Sequence, residues 1–472
     1  MAANVTLPVV PAPVDRLKAI LDERPLYIGI ETTNICNAAC VFCAYPKMRR
    51  KKSVMVPALF EKIIRDYADM GGGALGLTPI VGDVLVDPHL MNRLKTLRAA
   101  KRITHVALTT NAIAWHRFKL RDRLTILESI NSIGISLGGV DADSYKTMFA
   151  VDRYEKVKRA IEDMCELKAR EGLTCELHLL FRVNRPVDEL FADAGMDNFR
   201  RPEITSISSI NSFGNWGGLV EKKDLPAGTH LVAIEKSPDM IRKTKRNPCF
   251  VHYVNPEISC DGLVSACGCM NAEASDLILG DVTQTHLRDI WKGTARRELI
   301  GSFGSDALPD ICKKCSYYQD GEAFLANPAL HGFQVGDNPW DVLRRNVVTT
   351  PGEQLSDTLR NLRVEGLRRV ALFGAGTFTR TALCSPDMRV HRASVVAIID
   401  ENRALHGNRL LDWKIASKES IDPTNVDAVV LSSKYHRDAM WRATRVYRDQ
   451  GIRVVHVGVC NEIGGPASQR ND

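Results

Sequence analysis

The sequence predicts an α/β protein built on a parallel sheet. Three observations carry that prediction. Six strand-like apolar runs alternate with helical stretches through the first half of the 472-residue chain, and such alternation implies parallel strands joined by helices. The first run delivers a loop that holds Cys36, Cys40 and Cys43. The last third repeats the alternation behind a glycine turn, and further cysteines separate the two regions.

Taken in order, residues 13–23 read as a short amphipathic helix and residues 26–32 (LYIGIET) as the first strand. A loop at a strand's C-terminal end is where a β/α barrel carries its catalytic groups. Residues 57–67 form a helix with Leu59, Phe60, Ile63, Ile64 and Tyr67 on one face, and Gly71 to Gly73 end it. Strands follow at 75–81, 105–110, 133–137, 174–182 and 204–210. In the fifth, Cys175, Leu177, Leu179 and Phe181 alternate with Glu176, His178, Leu180 and Arg182. Period-two alternation puts the second set on the inner face. A ligand-free barrel fills that interior with branched apolar residues, so these polar groups point to a polar ligand. Cys165 and Cys175 belong to the core.

Composition is ordinary for a globular protein, with 44% hydrophobic and 25% charged residues. The start of the chain has no basic segment followed by an apolar one, and no run of about eighteen apolar residues occurs. The expected location is cytoplasmic. Thirteen cysteines in such a chain suggest metal ligation more than disulfides. The net charge of +7 permits nucleic-acid binding without demanding it; neither nucleic acid nor membrane is expected as a partner. The one dense basic run, residues 47–52 (KMRRKK), reads as a solvated loop or as a docking surface for an acidic electron donor of flavodoxin type.

The cysteine loop reads Cys36-Asn37-Ala38-Ala39-Cys40-Val41-Phe42-Cys43. Thiolates are soft ligands that suit iron–sulfur clusters. Three of them leave one iron of a 4Fe-4S cube open to a reactant. Zinc would want a fourth ligand nearby, and residues 45–50 supply no Cys or His. This loop resembles that of the radical SAM superfamily, whose members also place an aromatic where Phe42 stands. The resemblance implies a partial (β/α)6 barrel, S-adenosyl-L-methionine (SAM) on the open iron, and hydrogen abstraction by a 5′-deoxyadenosyl radical. The family's Gly-Gly-Glu loop has its counterpart in Pro79-Ile80-Val81-Gly82-Asp83. One glycine is lost and the acid is shorter, yet Gly82 allows close backbone approach and Asp83 can accept from the SAM ammonium. Asn111 in Thr109-Thr110-Asn111 matches a recurrent family sequence. Ser136, on one face with Gly134 and Gly138, suits a ribose edge. Arg182 suits the SAM carboxylate, since a guanidinium binds carboxylate bidentately.

Four later cysteines, Cys249, Cys267, Cys312 and Cys315, resemble the ligands of a SPASM or twitch auxiliary-cluster domain. Residues 279–282 and 289–291 fit that module too. Four thiolates can hold a second 4Fe-4S cluster, and a structural zinc site is the alternative. Cys260 and Cys269 are left over. Residues 211–218 (NSFGNWGG) follow the sixth strand. They are a structured linker or a loop whose Asn215 and Trp216 touch substrate or close the barrel mouth. The C-terminal strands at 369–373, 395–399, 428–432 and 453–457, with Gly374, Gly376 and Asp400, resemble a Rossmann-like unit. Thr379 replaces the third glycine of its fingerprint. Nucleotide binding and mere packing both remain open there. The expected domains are 1–225, 226–325 and 345–472.

Among radical SAM families the chain resembles the diol dehydratases of aminoglycoside antibiotic biosynthesis. That resemblance implies a paromamine-like substrate, hydrogen abstraction at C4′ and loss of the 3′-hydroxyl as water. Reduction then gives a 4′-keto-3′-deoxy product for a separate NAD(P)H-dependent reductase. Glu31, Glu176 and His178 are the candidate base and acid. A radical SAM dehydrogenase or epimerase of an aminocyclitol is one rival, and a zinc module binding RNA is another.

Overall fold

The computed structural model describes residues 13–77, 80–232, 234, 237–268, 271–325, 351–385, 388, 391–432 and 437–457. The chain divides into two compact units. The first comprises Met1–Pro186, Asp193–Thr205 and Ser209–Val347; the second comprises Val348–Asp472 with Val187–Ala192 and Ser206–Ser208.

The first unit is organised by strands β1 (Tyr27–Ile30), β2 (Gly73–Gly76), β3 (Ile103–Thr110), β4 (Ser132–Leu137), β5 (Glu176–Arg182) and β6 (Ile204–Ile210). The second strand lies earlier than its apolar run suggested, because Gly73 pairs with Ile103 and starts the ladder directly behind the helix-ending glycines. Helix α1 (Pro13–Glu23) precedes β1, and helices α2 (Pro57–Asp69), α3 (Leu90–Ala99), α4 (Leu120–Ser129), α5 (Ala142–Phe149) and α6 (Tyr154–Glu171) lie between the strands from β1 to β5. Helix α2 starts on Pro57, which needs no N–H partner at that position. It buries Phe60, Ile63, Ile64 and Tyr67, each worth about 1.5–3 kcal/mol.

These strands pair side by side in chain order, and the pairs from β1 to β5 are parallel. The sheet does not stop at β1. Strand β9 (Glu257–Ile258) lies parallel to β1, and the hairpin of β10 (Leu263–Ser265) and β11 (Ile278–Asp281) extends it to nine strands. The auxiliary segment therefore grows from the barrel's own edge. Two further short strands, β7 (Ser212–Phe213) and β8 (His230–Leu231), form a separate pair.

The two faces differ as the period requires. Ile28, Ile30, Leu75, Val106, Leu108, Ile133, Ile135, Leu177, Leu179 and Phe181 are all buried. Register puts Gly29, Gly76, Ala107, Ser132 and Glu176 in one row of the opposite face, and Gly134 beside His178. Small residues there leave room for larger ones. A Cβ on Gly76 would fall 1.6 Å from the Tyr27 hydroxyl, and one on Gly29 1.8 Å from the Glu257 carboxylate.

The second unit holds β12 (Val370–Phe373), β13 (Val395–Ile399), β14 (Arg409–Leu410), β15 (Trp413–Ala416), β16 (Ala428–Leu431) and β17 (Arg453–His456). Their order is β14-β15-β13-β12-β16-β17, parallel except at the β14 edge. Read as parallel strands this is 3-2-1-4-5, the doubly wound pattern. Leu372 and Val430 face one apolar cluster while Phe373 and Leu431 face another, as a parallel sheet buried on both sides demands. Asp400 accepts from the Ala375 amide of the glycine turn at 2.7 Å, so the protein's own carboxylate occupies that N–H.

Candidate functional site

The cysteine loop leaves the C-terminal end of β1 through a pinched neck. Asn34 bonds both sides of it: its Nδ2 donates to Lys51 O at 2.8 Å, and its Oδ1 accepts from Ser53 N at 2.7 Å. The far side is fixed to the end of α5, where Ala39 N donates to Phe149 O at 3.2 Å and Val41 N to Met148 O at 3.0 Å. Phe42 stacks on Phe213 with centroids 5.0 Å apart and meets Phe149 edge-on. Its side chain anchors the loop. Asn111 Nδ2 approaches Cys36 Sγ at 3.7 Å, and Tyr45 N approaches Cys43 Sγ at 3.4 Å.

Burial pushes the Cys36 thiol up to about 12, with Asp83 adding to the effect, and raises Cys40 and Cys43 as well. Such thiols ionise at neutral pH only when a metal takes the proton's place. Among the described residues no three His, Cys, Asp or Glu side chains close on a single metal ion. Three buried thiols, with N–H donors at Cys36 and Cys43, suit the thiolate ligands of an iron–sulfur cluster.

Gly82 and Asp83 hold this loop instead of reaching out from it. Gly82 has φ +113°, and a Cβ there would lie 2.6 Å from Thr33 O, so its close approach is to the neck. Asp83 N donates to Ile35 O at 2.9 Å. The Asp83 carboxylate, 2% exposed, accepts from Leu85 N, Thr110 Oγ1 and Asn111 N. Burial raises its pKa to about 6 against those bonds. The shortened Asp83 side chain, expected to accept from the SAM ammonium, ties the loop after β2 to the end of β3. Pro79 lies outside the described residues.

Arg182 ends β5 on the inner face. Burial lowers its pKa, while Tyr317 and Cys40 are close enough to oppose that. The guanidinium thus stands near the cysteine loop, and Ser136 lies half-buried on the same face of the adjacent strand. Residues 211–218 run from the barrel to both cysteine sets. Trp216 Nε1 donates to Phe42 O at 3.0 Å, and its ring packs with Cys43, Ala44 and Val81. Trp216 holds φ +49°, which a bulky residue adopts only under constraint. Asn215 Nδ2 donates to Lys314 O at 3.4 Å, and Gly214 N to the Tyr317 hydroxyl at 3.1 Å.

The three candidate acid–base residues separate. Glu31 is fully buried and chelated by Arg50, with Nη1 and Nη2 at 2.8 and 2.7 Å. Val81 N and Cys260 N also donate to it, at 3.3 and 3.4 Å. It is a structural node, not a free base. Glu176 is the first residue of β5 and lines a pocket with His105, Glu128 and Asn131 at the strands' N-terminal ends. Six residues of strand place it about 20 Å from Arg182, so it is not brought to the cysteine loop. His178 lies between them, its Nε2 3.4 Å from Glu176 Oε2.

The second set converges. Cys249, Cys267, Cys312 and Cys315 line one cavity with His252, Leu277, Phe303, Ile311 and Tyr318. Burial pushes the Cys312 thiol up to about 12, and Cys315 and Cys249 add to it. Tyr317 N approaches Cys315 Sγ at 3.3 Å. Cys260 stands apart, at Glu31, and Cys269 lies outside the described residues.

Residues 30–192 match the radical SAM superfamily, and residues 249–316 match the SPASM iron–sulfur cluster-binding domain. The chain carries a radical SAM domain and a SPASM domain. Its cofactors are SAM with a 4Fe-4S cluster, and an auxiliary iron–sulfur cluster. All seven candidate ligands fall inside the two matched segments. The GTP 3′,8-cyclase of Pasteurella multocida (strain Pm70) is 24% identical over 257 residues, 50% of this chain and 74% of that protein. The GTP 3′,8-cyclase of Chlorobaculum tepidum is 25% identical over 164 residues, 35% of this chain and 47% of that protein. Solved structures similar to this chain include BtrN in complex with AdoMet and 2-DOIA, at 15% identity and TM-score 0.42 over 63% of this chain and 94% of that one. SuiB of Streptococcus suis bound to precursor peptide SuiA has 15% identity and TM-score 0.45 over 67% and 77%.

Three residues at the site escaped the sequence reading. Arg50 was hidden in a basic run. Glu257 enters the barrel on a two-residue strand too short to show a period. Tyr317 follows Cys315 and meets the loop after β6. No sequence signal marks any of them.

Proposed function

We propose that the enzyme is a diol dehydratase of an aminoglycoside pseudodisaccharide of paromamine type. One observation carries the reading: the ionisable groups on the inner face. Along β1 to β5 and β9, among the described residues, they are Glu31, Glu176, Glu257, His105, His178 and Arg182. Glu31 is taken by Arg50 and Glu176 lies at the far end of β5, so the Glu257 carboxylate over Gly29 is the group that suits a cationic aminosugar. A nucleoside triphosphate, the substrate class in the curated relatives' names, would need several unpaired cations, whereas here Arg50 is paired with Glu31 and Arg182 is assigned to SAM.

When bound and reductively cleaved, SAM supplies the 5′-deoxyadenosyl radical that takes hydrogen from C4′. The 4′-hydroxyl must then lose a proton, and the 3′ oxygen must gain one as it leaves as water. His178, the inner-face imidazole nearer to Arg182, is assigned both transfers. One electron and one proton complete the 4′-keto-3′-deoxy product. Arg182 serves the SAM carboxylate, Ser136 the ribose, and Asn111 the cluster edge. Asn215 and Trp216 close the mouth. A flavodoxin-type donor docks at Arg49, Lys51 and Lys52, which are exposed, whereas Lys47 and Arg50 are paired with Asp224 and Glu31. A separate NAD(P)H-dependent reductase consumes the ketone.

A second reading has one observation in its favour. Cys260 is buried beside Glu31 and could return hydrogen to a substrate radical, which is epimerase chemistry. Substrate deuterated at C4′ tests both readings. The dehydratase passes deuterium to 5′-deoxyadenosine and yields a 3′-deoxy ketone. An epimerase passes deuterium but keeps the oxygen. No transfer from any aminoglycoside would remove the substrate class.

A further inference from the structure

Lys245 follows the helix Pro238–Thr244 as its C-cap and is 6% exposed. Its ammonium donates to Cys312 O at 2.6 Å, Lys313 O at 3.1 Å and Cys315 O at 2.8 Å. An ammonium has three hydrogens, and all three go to this loop. Two of the three acceptors belong to cysteines that line the auxiliary cavity. Cys312 and Lys313 also end the helix Asp310–Lys313, whose last carbonyls have no partner within the helix. The Tyr318 ring lies 5.8 Å from Nζ, against the same cavity. All three acceptors are neutral carbonyls, and among the described residues no carboxylate is paired with Lys245.

We propose that Lys245 is the positioning residue of the auxiliary cluster: its ammonium holds the Cys312–Cys315 loop in ligating shape, and its charge favours the cluster's reduced form. A 4Fe-4S cluster on four thiolates is an anion, and reduction adds another negative charge. A fixed cation one residue behind the ligands stabilises the reduced state more than the oxidised one, which raises the potential. Net charge and hydrogen bonding around the sulfurs are among the determinants of such potentials. Lysine does this without exposing the cavity to water, since its stem packs while its head is bonded.

The inference rests on the four cysteines as ligands, which the iron content of a Cys312→Ala/Cys315→Ala protein tests separately. The test itself uses the full chain with Cys36, Cys40 and Cys43 changed to Ala, so that the auxiliary cluster is the one remaining. Lys245→Gln keeps a donor to the carbonyls without the charge, and Lys245→Arg keeps the charge. Iron per chain and midpoint potential are read by anaerobic redox titration. The expected result is a lower midpoint potential in Lys245→Gln and one close to the parent in Lys245→Arg. Loss of iron from the Gln protein but not the Arg protein also supports the role, by showing that the charge holds the loop. A Gln protein with full iron and an unshifted potential overturns the proposal. So does equal loss of iron from both variants, which would mean a packing role alone.

Discussion

Breaking the Glu31–Arg50 pair isolates what the structure says about the floor of the site. Arg50→Met removes both guanidinium bonds from a fully buried carboxylate. Uncompensated burial of one partner of such a pair costs about 3–5 kcal/mol. Two backbone amides remain on Glu31, but at 3.3 and 3.4 Å they are long and offset little, so the upper part of that range, about 4–5 kcal/mol, is expected. Glu31→Gln alone costs about 1–2 kcal/mol, because the Arg50 side chain is 12% exposed and keeps its bond to Ala272 O. In the double variant no charge is stranded, so the losses fall short of their sum by about 2 kcal/mol. Urea midpoints of the four proteins, each with iron measured, give this coupling. Additivity within about 0.5 kcal/mol would refute the pairing. The double variant should still form 5′-deoxyadenosine; if it folds yet gives none, Glu31 acts in the chemistry itself.

Three further outcomes follow from the same geometry. Replacing Cys36, Cys40 and Cys43 with Ala should abolish 5′-deoxyadenosine formation in a folded protein, and Cys312→Ala/Cys315→Ala should lower iron from about eight to about four per chain by cluster stoichiometry. Arg182→Ala should weaken SAM binding about tenfold or more with no substrate present, measured by calorimetry on the loaded protein; unchanged affinity would take Arg182 off the SAM carboxylate. In the second unit, hydrogen bonds from the Arg369 side chain hold the Asp427 carboxyl down at about 2, with the Arg368 and Arg369 amides assisting. A depressed carboxyl adds stability above its unfolded pKa near 3.8 and loses it as pH falls toward 2. With the pair partly exposed, Asp427→Asn should therefore cost about 1 kcal/mol at neutral pH and almost nothing near pH 2, as read by hydrogen exchange of β12 and β16.

Much of this was legible because short-range patterns force it. The β5 alternation placed Arg182 and His178 inward from residue type alone, and the strand at Ile204–Ile210 has the expected bounds. The four later cysteines meet in one cavity as their spacing suggested. Parity fixes a face but not a depth, which is why Glu176 was grouped with Arg182 although it sits at the other end of the strand. Pairings between distant segments left no trace either. Nothing near residue 50 announces Glu31, and nothing near 257 announces a place beside Gly29. The bonds of Asp83 could not be read from its own segment, because its partners Thr110 and Asn111 arrive from another strand. Strand β15 was missed because Ile415 is its one fully buried residue, so it shows no apolar run.

The central claim is settled most directly by the product. Anaerobic enzyme with SAM, a reductant and a panel of aminoglycosides, each reaction analysed by mass and NMR, should convert a paromamine-type substrate to a compound lighter by one water. That compound should carry a carbonyl at C4′ and a methylene at C3′. A product that keeps its 3′ oxygen, oxidised or inverted at one carbon, would contradict the dehydratase account.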